Sequence, residues 1–268
     1  MKKSIVLLFF MILFNINLTA QLPGLSVKPV RLFYTLLGGQ SSTQTVYVLN
    51  NTDKPQQFKL YTEDWSRDSM GGHLYMPAGS FPQSCARWVS LNKEFLELQP
   101  GESTDFLVKL QIPDSSSSVT EMKWTMLFIE STAEKAVPSK STGFDTKVNN
   151  ITRVGVHIIQ TPPNIIEKEL KLISFSKVQD SVNRFRIICK NTGKIQFDCK
   201  SYLELSSVGT NEKTTINKNS FPLFPNQIRY SDFVLPATLV KGRYTVVGVI
   251  DGGDDLPLQA SELIIQIK

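Results

Sequence analysis

One stretch, residues 151–163 (ITRVGVHIIQTPP), constrains the fold most, because it joins a β-strand pattern to a double-proline stop. Apolar side chains recur at every second position, at Val154, Val156 and Ile158, which is the two-residue period of a strand. The two prolines cannot donate ladder hydrogen bonds and keep the chain extended. The stretch therefore predicts the last strand of one domain and the hinge into the next.

Both sides of this stretch are rich in short strand patterns. Residues 104–112 alternate cleanly, and turn signals such as Pro100-Gly101 and Asn191-Thr192-Gly193 separate such runs. Short strands with turn signals every eight to twelve residues or so are typical of β-sandwiches. We predict an all-β chain of two β-sandwich domains joined by a short proline-containing hinge, with boundaries at residues 21–161 and 162–268.

The first twenty residues have the pattern of a secretory signal peptide. Lys2 and Lys3 precede an apolar run over residues 5–14, and Leu18-Thr19-Ala20 offers a small-residue cleavage site. That run is short for a membrane-spanning helix. We expect cleavage after residue 20, export to the periplasm and no membrane span in the mature chain; an uncleaved signal anchor is the alternative.

Composition argues against several function classes. The formal net charge is +5 over 268 residues, with lysines and arginines scattered among acids, so we expect no nucleic-acid partner. With only His73 and His157 as histidines, and without a nucleophile elbow, a zinc-binding helix motif or a phosphate loop, we expect neither an enzyme nor a bound metal or cofactor. The acids of residues 251–255 suit either a calcium site or, more simply, a hairpin tip.

Three cysteines leave two interpretations open. An exported chain meets an oxidising compartment, and Cys189 and Cys199 flank a turn, so they could form a disulfide between neighbouring strands. Alternatively both are reduced and buried as small apolar residues. Separately, residues 132–150 are polar and irregular, longer than most hairpin loops, which indicates a mobile or functional segment.

Several segments together resemble one known family. They are residues 27–34 (VKPVRLFY), 48–51 (VLNN) with Pro55, 96–102 (LELQPGE), 157–162 (HIIQTP), and 239–248 with Asp251 and Gly252. In their order and spacing they are similar to the periplasmic pilus-assembly chaperones, the PapD-like group of two immunoglobulin-like domains. The resemblance covers most of the mature chain.

The resemblance implies a partner and two anchoring residues. Members of that family hold the C-terminal carboxylate of an exported subunit between an arginine of the first strand and a lysine of the last strand of domain one. Arg31 takes the place of the arginine, and His157 stands where the family has lysine. A neutral imidazole can hydrogen-bond a carboxylate but is only partly charged near neutral pH.

The resemblance also implies an edge strand that adds itself to the sheet of the subunit. Its donated side chains alternate upstream of His157 and would be Val148, Asn150, Thr152 and Val154. Because the first three include only one apolar residue, a second interpretation stays open: a non-catalytic structural or scaffold component of a cell-envelope assembly or secretion machine that uses the same fold.

Overall fold

A computed structural model describes residues 24–114, 119–132, 135–139, 146–179, 181, 183–209 and 213–267. The predicted signal peptide lies outside these residues. In the described part of the chain no helix is long and apolar enough to cross a membrane. The described elements are nineteen strands and one 3-10 helix, Ala86–Trp88, so the all-β prediction is confirmed.

Twelve strands belong to the first half of the chain: ten form the first sandwich, and the tenth and eleventh in chain order form a separate two-stranded sheet. They are β1 (Leu25–Lys28), β2 (Arg31–Tyr34), β3 (Ser41–Asn50), β4 (Gln56–Arg67), β5 (His73–Pro77), β6 (Val89–Leu91), β7 (Phe95–Leu98), β8 (Ser103–Gln111), β9 (Lys123–Ser131), β10 (Lys135–Ser139), β11 (Thr146–Asn150) and β12 (Arg153–Gln160). One sheet has the order β1-β3-β8-β6, and the other has the order β2-β12-β9-β4-β5 with β7 also on β4. Their inner faces enclose a core that includes Val48, Phe106, Leu127 and Ile158, all fully buried.

Seven strands build the second sandwich. They are β13 (Leu170–Lys177), β14 (Arg184–Asn191), β15 (Phe197–Ser207), β16 (Lys213–Leu223), β17 (Ile228–Val234), β18 (Gly242–Asp251) and β19 (Gln259–Ile267). The sheet β13-β14-β17 faces the sheet β16-β15-β18-β19. Phe185, Ile187, Leu203 and Phe233 are among the residues buried between them. Apolar residues at alternate positions of each strand produce these two inner faces.

The two sandwiches touch through an aromatic cluster. Phe224, in the turn after β16, packs its ring 5.0 Å from Trp65 and 5.1 Å from Trp124, centroid to centroid. Main-chain bonds also cross the contact: the Met122 N–H donates to the Lys194 carbonyl at 2.8 Å. The sandwiches are therefore joined by more than the connection from β12 to β13.

The segment from 132 to 150 differs from the prediction of an irregular loop. Its described parts form β10 and β11, which pair antiparallel with Val137 opposite Val148. Strand structure is then interrupted at Ile151 and Thr152 before β12 begins. Val148 and Asn150 therefore belong to a ladder separate from that of β12, and their role in binding a partner stays a prediction.

Cys189 and Cys199 do not lie on neighbouring strands, as the sequence had suggested. Cys189 is on β14 and Cys199 on β15, and these strands belong to opposite sheets rather than being neighbours. All three thiols are free and buried, and burial raises the pKa of Cys189 to about 12. The predicted pairing of Cys189 with Cys199 stays a prediction.

A buried asparagine fixes one end of the first sandwich. Asn50 is fully buried at the end of β3. Its Nδ2 donates to the carbonyls of Lys54, Leu98 and Gln99 at 2.8, 3.0 and 3.1 Å, and its Oδ1 accepts from the Thr52 N–H at 3.0 Å. One side chain thus satisfies backbone groups of two turns that would otherwise be buried without partners.

The second sandwich also contains a buried asparagine that bonds to the backbone of neighbouring turns. Asn191 is fully buried at the end of β14. Its Nδ2 donates to the carbonyls of Ile195 and Leu223, each at 2.9 Å, and its Oδ1 accepts from the Gly193 N–H at 2.8 Å. Each sandwich therefore uses a buried asparagine at the end of a strand to satisfy backbone groups of neighbouring turns.

Replacing Asn50 with alanine should destabilise the protein by about 2–4 kcal/mol, because several hydrogen bonds are lost and buried carbonyls are left without donors. Chemical denaturation of the purified chain measures the change. Asn51→Ala is the matched control: Asn51 is exposed and donates one side-chain bond, to Ser26 Oγ at 2.7 Å, so its cost should stay below about 1 kcal/mol. Equal costs for the two variants would contradict the role assigned to Asn50.

Candidate functional site

The parallel pairing of β2 with β12 places Arg31 directly opposite His157. Their neighbours Leu32 and Ile158 are fully buried in the core, so Arg31 and His157 point to the outer face of the sheet. Arg31 is exposed, and no carboxylate of the described residues forms an ion pair with it. The structure thus brings together two of the predicted partner-binding residues.

His157 carries no charge near neutral pH. Burial, followed by the positive charge of Arg31 and then by His73 and Arg67, lowers the pKa of His157 to about 4. Its ring lies 4.9 Å from the Trp65 ring in an edge contact and 6.2 Å from the His73 ring. Its N–H can donate a hydrogen bond to a carboxylate, but the positive charge at this position comes from Arg31.

The edge of β12 is open along part of its length. On the side away from β9, β2 pairs only with His157–Gln160, and residues 153–156 have no ladder partner there among the described strands. Within this edge Val154 is half-buried and packs against the core of the first sandwich. The open edge therefore ends at the Arg31–His157 pair.

The other predicted contact residues lie apart from this edge. Thr152 is exposed, and its N–H donates to Ser131 Oγ at 2.9 Å while its carbonyl accepts from the Ser131 N–H at 2.8 Å. Asn150 is paired with Lys135 across β10 and β11, and Val148 belongs to the same ladder. The predicted set of alternating residues is thus divided between two ladders.

An arginine with no distinguishing sequence signal covers the outer face beside the open edge. The guanidinium of Arg153 lies 3.3 Å from the Phe128 ring centroid and makes ion pairs with Glu63 at 2.5 Å and Glu130 at 3.3 Å. Two carboxylates neutralise this cation, whereas Arg31 has none. Arg153, Phe128 and Glu63 lie on three different strands, and only the pairing of those strands brings them together. The sequence therefore carries no local signal for this contact.

Two further arginines meet where the sandwiches touch. Arg67 ends β4, and its Nη1 donates to the Gly71 carbonyl at 2.9 Å. Arg229, on β17, lies so close to Gly71 that a Cβ atom there would be 1.8 Å from its Nη1. The Tyr230 N–H donates to the Ser69 carbonyl at 2.7 Å. Only the tertiary fold brings these distant positions together.

The acidic residues 251–255 behave as a turn. Asp251 Oδ1 accepts from the Gly253 N–H at 2.8 Å, and Asp255 makes an ion pair with Lys168 at 2.7 Å. Among the described residues no group of three or more His, Cys, Asp or Glu side chains is placed to hold a metal ion. Of the two sequence interpretations, these contacts favour the hairpin tip.

Comparison with known proteins finds similarity in solved structures. No family model matches the chain, and no curated protein matches it. Similar structures include a chain of a chaperone–tip adhesin complex of CFA/I fimbriae (15% identity, 91% of this chain and 98% of that one, TM-score 0.45). Others are the CsuC–CsuE chaperone–tip subunit complex of Acinetobacter baumannii (12%, 90% and 98%, 0.45) and the E. coli chaperone DraB (13%, 91% and 95%, 0.44).

Stability should fall as the pH is lowered from about 6.5 to about 4, because the unfolded chain takes up a proton on His157 before the folded chain does. The contribution of His157 should be about 1–3 kcal/mol after allowance for solvent screening. Denaturation at a series of pH values measures it, and His157→Gln should flatten the dependence. His73→Gln, at an exposed position, should flatten it less. A His157→Gln protein with the parental pH dependence would contradict this assignment.

Proposed function

We propose that the chain is a periplasmic chaperone-like protein that binds exported subunits of pili or related surface structures. The observation that carries the proposal is the unpaired Arg31, set opposite His157 at the end of the open edge of β12. A strand edge that can pair with a partner strand thus lies next to a cation that can bind an anion. Similarity in fold to fimbrial chaperones agrees with this assignment.

The open edge would bind a subunit by strand addition. The main-chain N–H and C=O groups of every second residue in the stretch 153–156 point away from β9 and have no ladder partner among the described strands. An extended segment of a subunit could complete them, and the same pairing would cover an edge of the subunit that would otherwise aggregate. The backbone supplies most of this interaction, so it does not require a long run of apolar side chains.

Arg31 would receive the C-terminal carboxylate of the subunit. A guanidinium matches the geometry of a carboxylate and forms charge-assisted hydrogen bonds with it. His157, neutral at physiological pH, would add a hydrogen bond but no second charge. The anchor therefore depends on one cation.

A short peptide of alternating valine and threonine with a free C-terminal carboxylate should bind about tenfold more tightly than its amidated twin, since one charge-assisted interaction is lost. Arg31→Ala should abolish the difference, as fluorescence anisotropy with labelled peptides would measure. Lys28→Ala is the matched control, because Lys28 is also exposed and lies at the end of β1. Equal binding of the two peptides to the parent protein would refute carboxylate capture.

A scaffold role is the second candidate, and the neutrality of His157 favours it. A single cation holds a carboxylate less firmly than two, so a permanent partner would have to be held by other contacts. Affinity purification from the periplasm separates the candidates. A chaperone should bring down several newly exported subunits only transiently, whereas a scaffold should bring down one fixed assembly at constant stoichiometry.

A further inference from the structure

The outermost strand of the second sandwich, β19, has one side of its backbone unpaired. β18 pairs with all nine residues of β19, from Gln259 to Ile267, and no described strand pairs with β19 on its other side. At about 3.4 Å per residue, this open edge is roughly 30 Å long. It lies in the other sandwich from the open edge of β12 and is longer.

This edge lacks the features by which exposed strands usually avoid pairing with other chains. Such features are several charged residues, prolines, bulges, or coverage by another part of the chain. The sequence of β19, QASELIIQI, contains one charged residue, Glu262, and no proline or glycine, and its register on β18 is unbroken. Nothing in the strand itself therefore prevents a further strand from pairing with it.

β13, the edge strand of the facing sheet next to β19, is by contrast protected in three ways. Lys171 and Lys177 are exposed on it, and its register shifts after Leu172. The Gln259 side chain also covers part of its main chain, because Oε1 accepts from the Leu172 N–H at 2.6 Å and Nε2 donates to the Leu170 carbonyl. Of these two adjacent edges, β19 is the one that can accept a partner strand.

Apolar side chains on β19 are only partly covered. Leu263 and Ile265 pack against the core of the second sandwich but remain half-buried. Their partners on β18, Val246 and Tyr244, are buried, because β18 has a strand on each side and β19 has one. On the outer face Ile264 is 58% exposed. A further strand beside β19 would therefore bury apolar surface, which is favourable.

The sequence of β19 is complementary to itself in the antiparallel direction. A two-fold axis perpendicular to the sheet places one residue opposite its own copy, and the flanking residues then pair symmetrically. With the axis at Ile264, Glu262 faces Gln266 of the second copy, whose amide can donate to the carboxylate. Leu263 then faces Ile265, and the two Glu262 carboxylates lie about 13 Å apart along the strands. An axis at Leu263 would instead place Glu262 against Ile264.

We propose that β19 pairs antiparallel with β19 of a second copy of this chain, about a two-fold axis at Ile264. The pairing joins the four-stranded sheets of the two copies into one continuous sheet. Because a two-fold contact of this kind is closed, it yields a dimer and no filament. It uses neither the Arg31–His157 pair nor the open edge of β12, which lie in the first sandwich, and it does not depend on subunit binding.

Sedimentation equilibrium of the purified chain at about 1–200 μM tests the proposal, a range that suits the small interface of one strand pair. The chain should show a reversible equilibrium between monomer and dimer. Ile264→Lys should raise the dissociation constant of the dimer at least about tenfold, because two ammonium groups would face each other at the axis. Val234→Lys is the matched control, since Val234 is also 58% exposed and lies on another edge strand, β17, and it should leave the equilibrium unchanged.

Mixing two charge variants tests the position of the axis. Ile264→Glu should dimerise as poorly as Ile264→Lys, but an equimolar mixture of the two should form a heterodimer at least about tenfold more tightly than either variant alone, because opposite charges then meet. A parent chain that stays monomeric throughout the range would overturn the proposal. So would a dimer that persists unweakened in Ile264→Lys, or a mixture that associates no more tightly than its components.

Discussion

The parallel pairing of β2 with β12 determines both the closure of the first sandwich and the position of its candidate site. The chain leaves the first sheet after β1, passes the cis peptide bond at Lys28-Pro29 and enters the second sheet as β2. Because β2 is short, it covers only the second half of β12. One pairing thus buries Leu32, aligns Arg31 with His157 and leaves an edge open beside them.

The contact between the sandwiches constrains the chemistry of that pair. Trp65 packs on Phe224 of the second sandwich with one side and on His157 with another. The same burial that joins the two sandwiches removes water from the imidazole and disfavours its charged form. Charge at the junction is therefore carried by the three arginines 31, 67 and 229. After burial, the charges of Arg31 and Arg67 lower the pKa of His157, and the charge of Arg67 lowers the pKa of Arg229.

Features with a local signal could be predicted from the sequence, and features that depend on tertiary pairing could not. Alternation and turn residues predict the strands and the all-β fold, and the resemblance around Arg31 and His157 predicts two residues that the structure brings together. Nothing local shows that Val148 pairs with Val137, or that Cys189 and Cys199 fall on opposite sheets.

A neutral His157 changes what the open edge must contribute to partner binding. With one cation at Arg31, carboxylate capture orients a partner but supplies only part of the affinity. The remainder has to come from main-chain pairing along residues 153–156, a stretch of roughly 13 Å for a strand rising about 3.3 Å per residue. An edge this short can hold a partner firmly only if pairing continues past the break at Thr152, so the main-chain direction at Ile151 and Thr152 decides how long a partner strand can be.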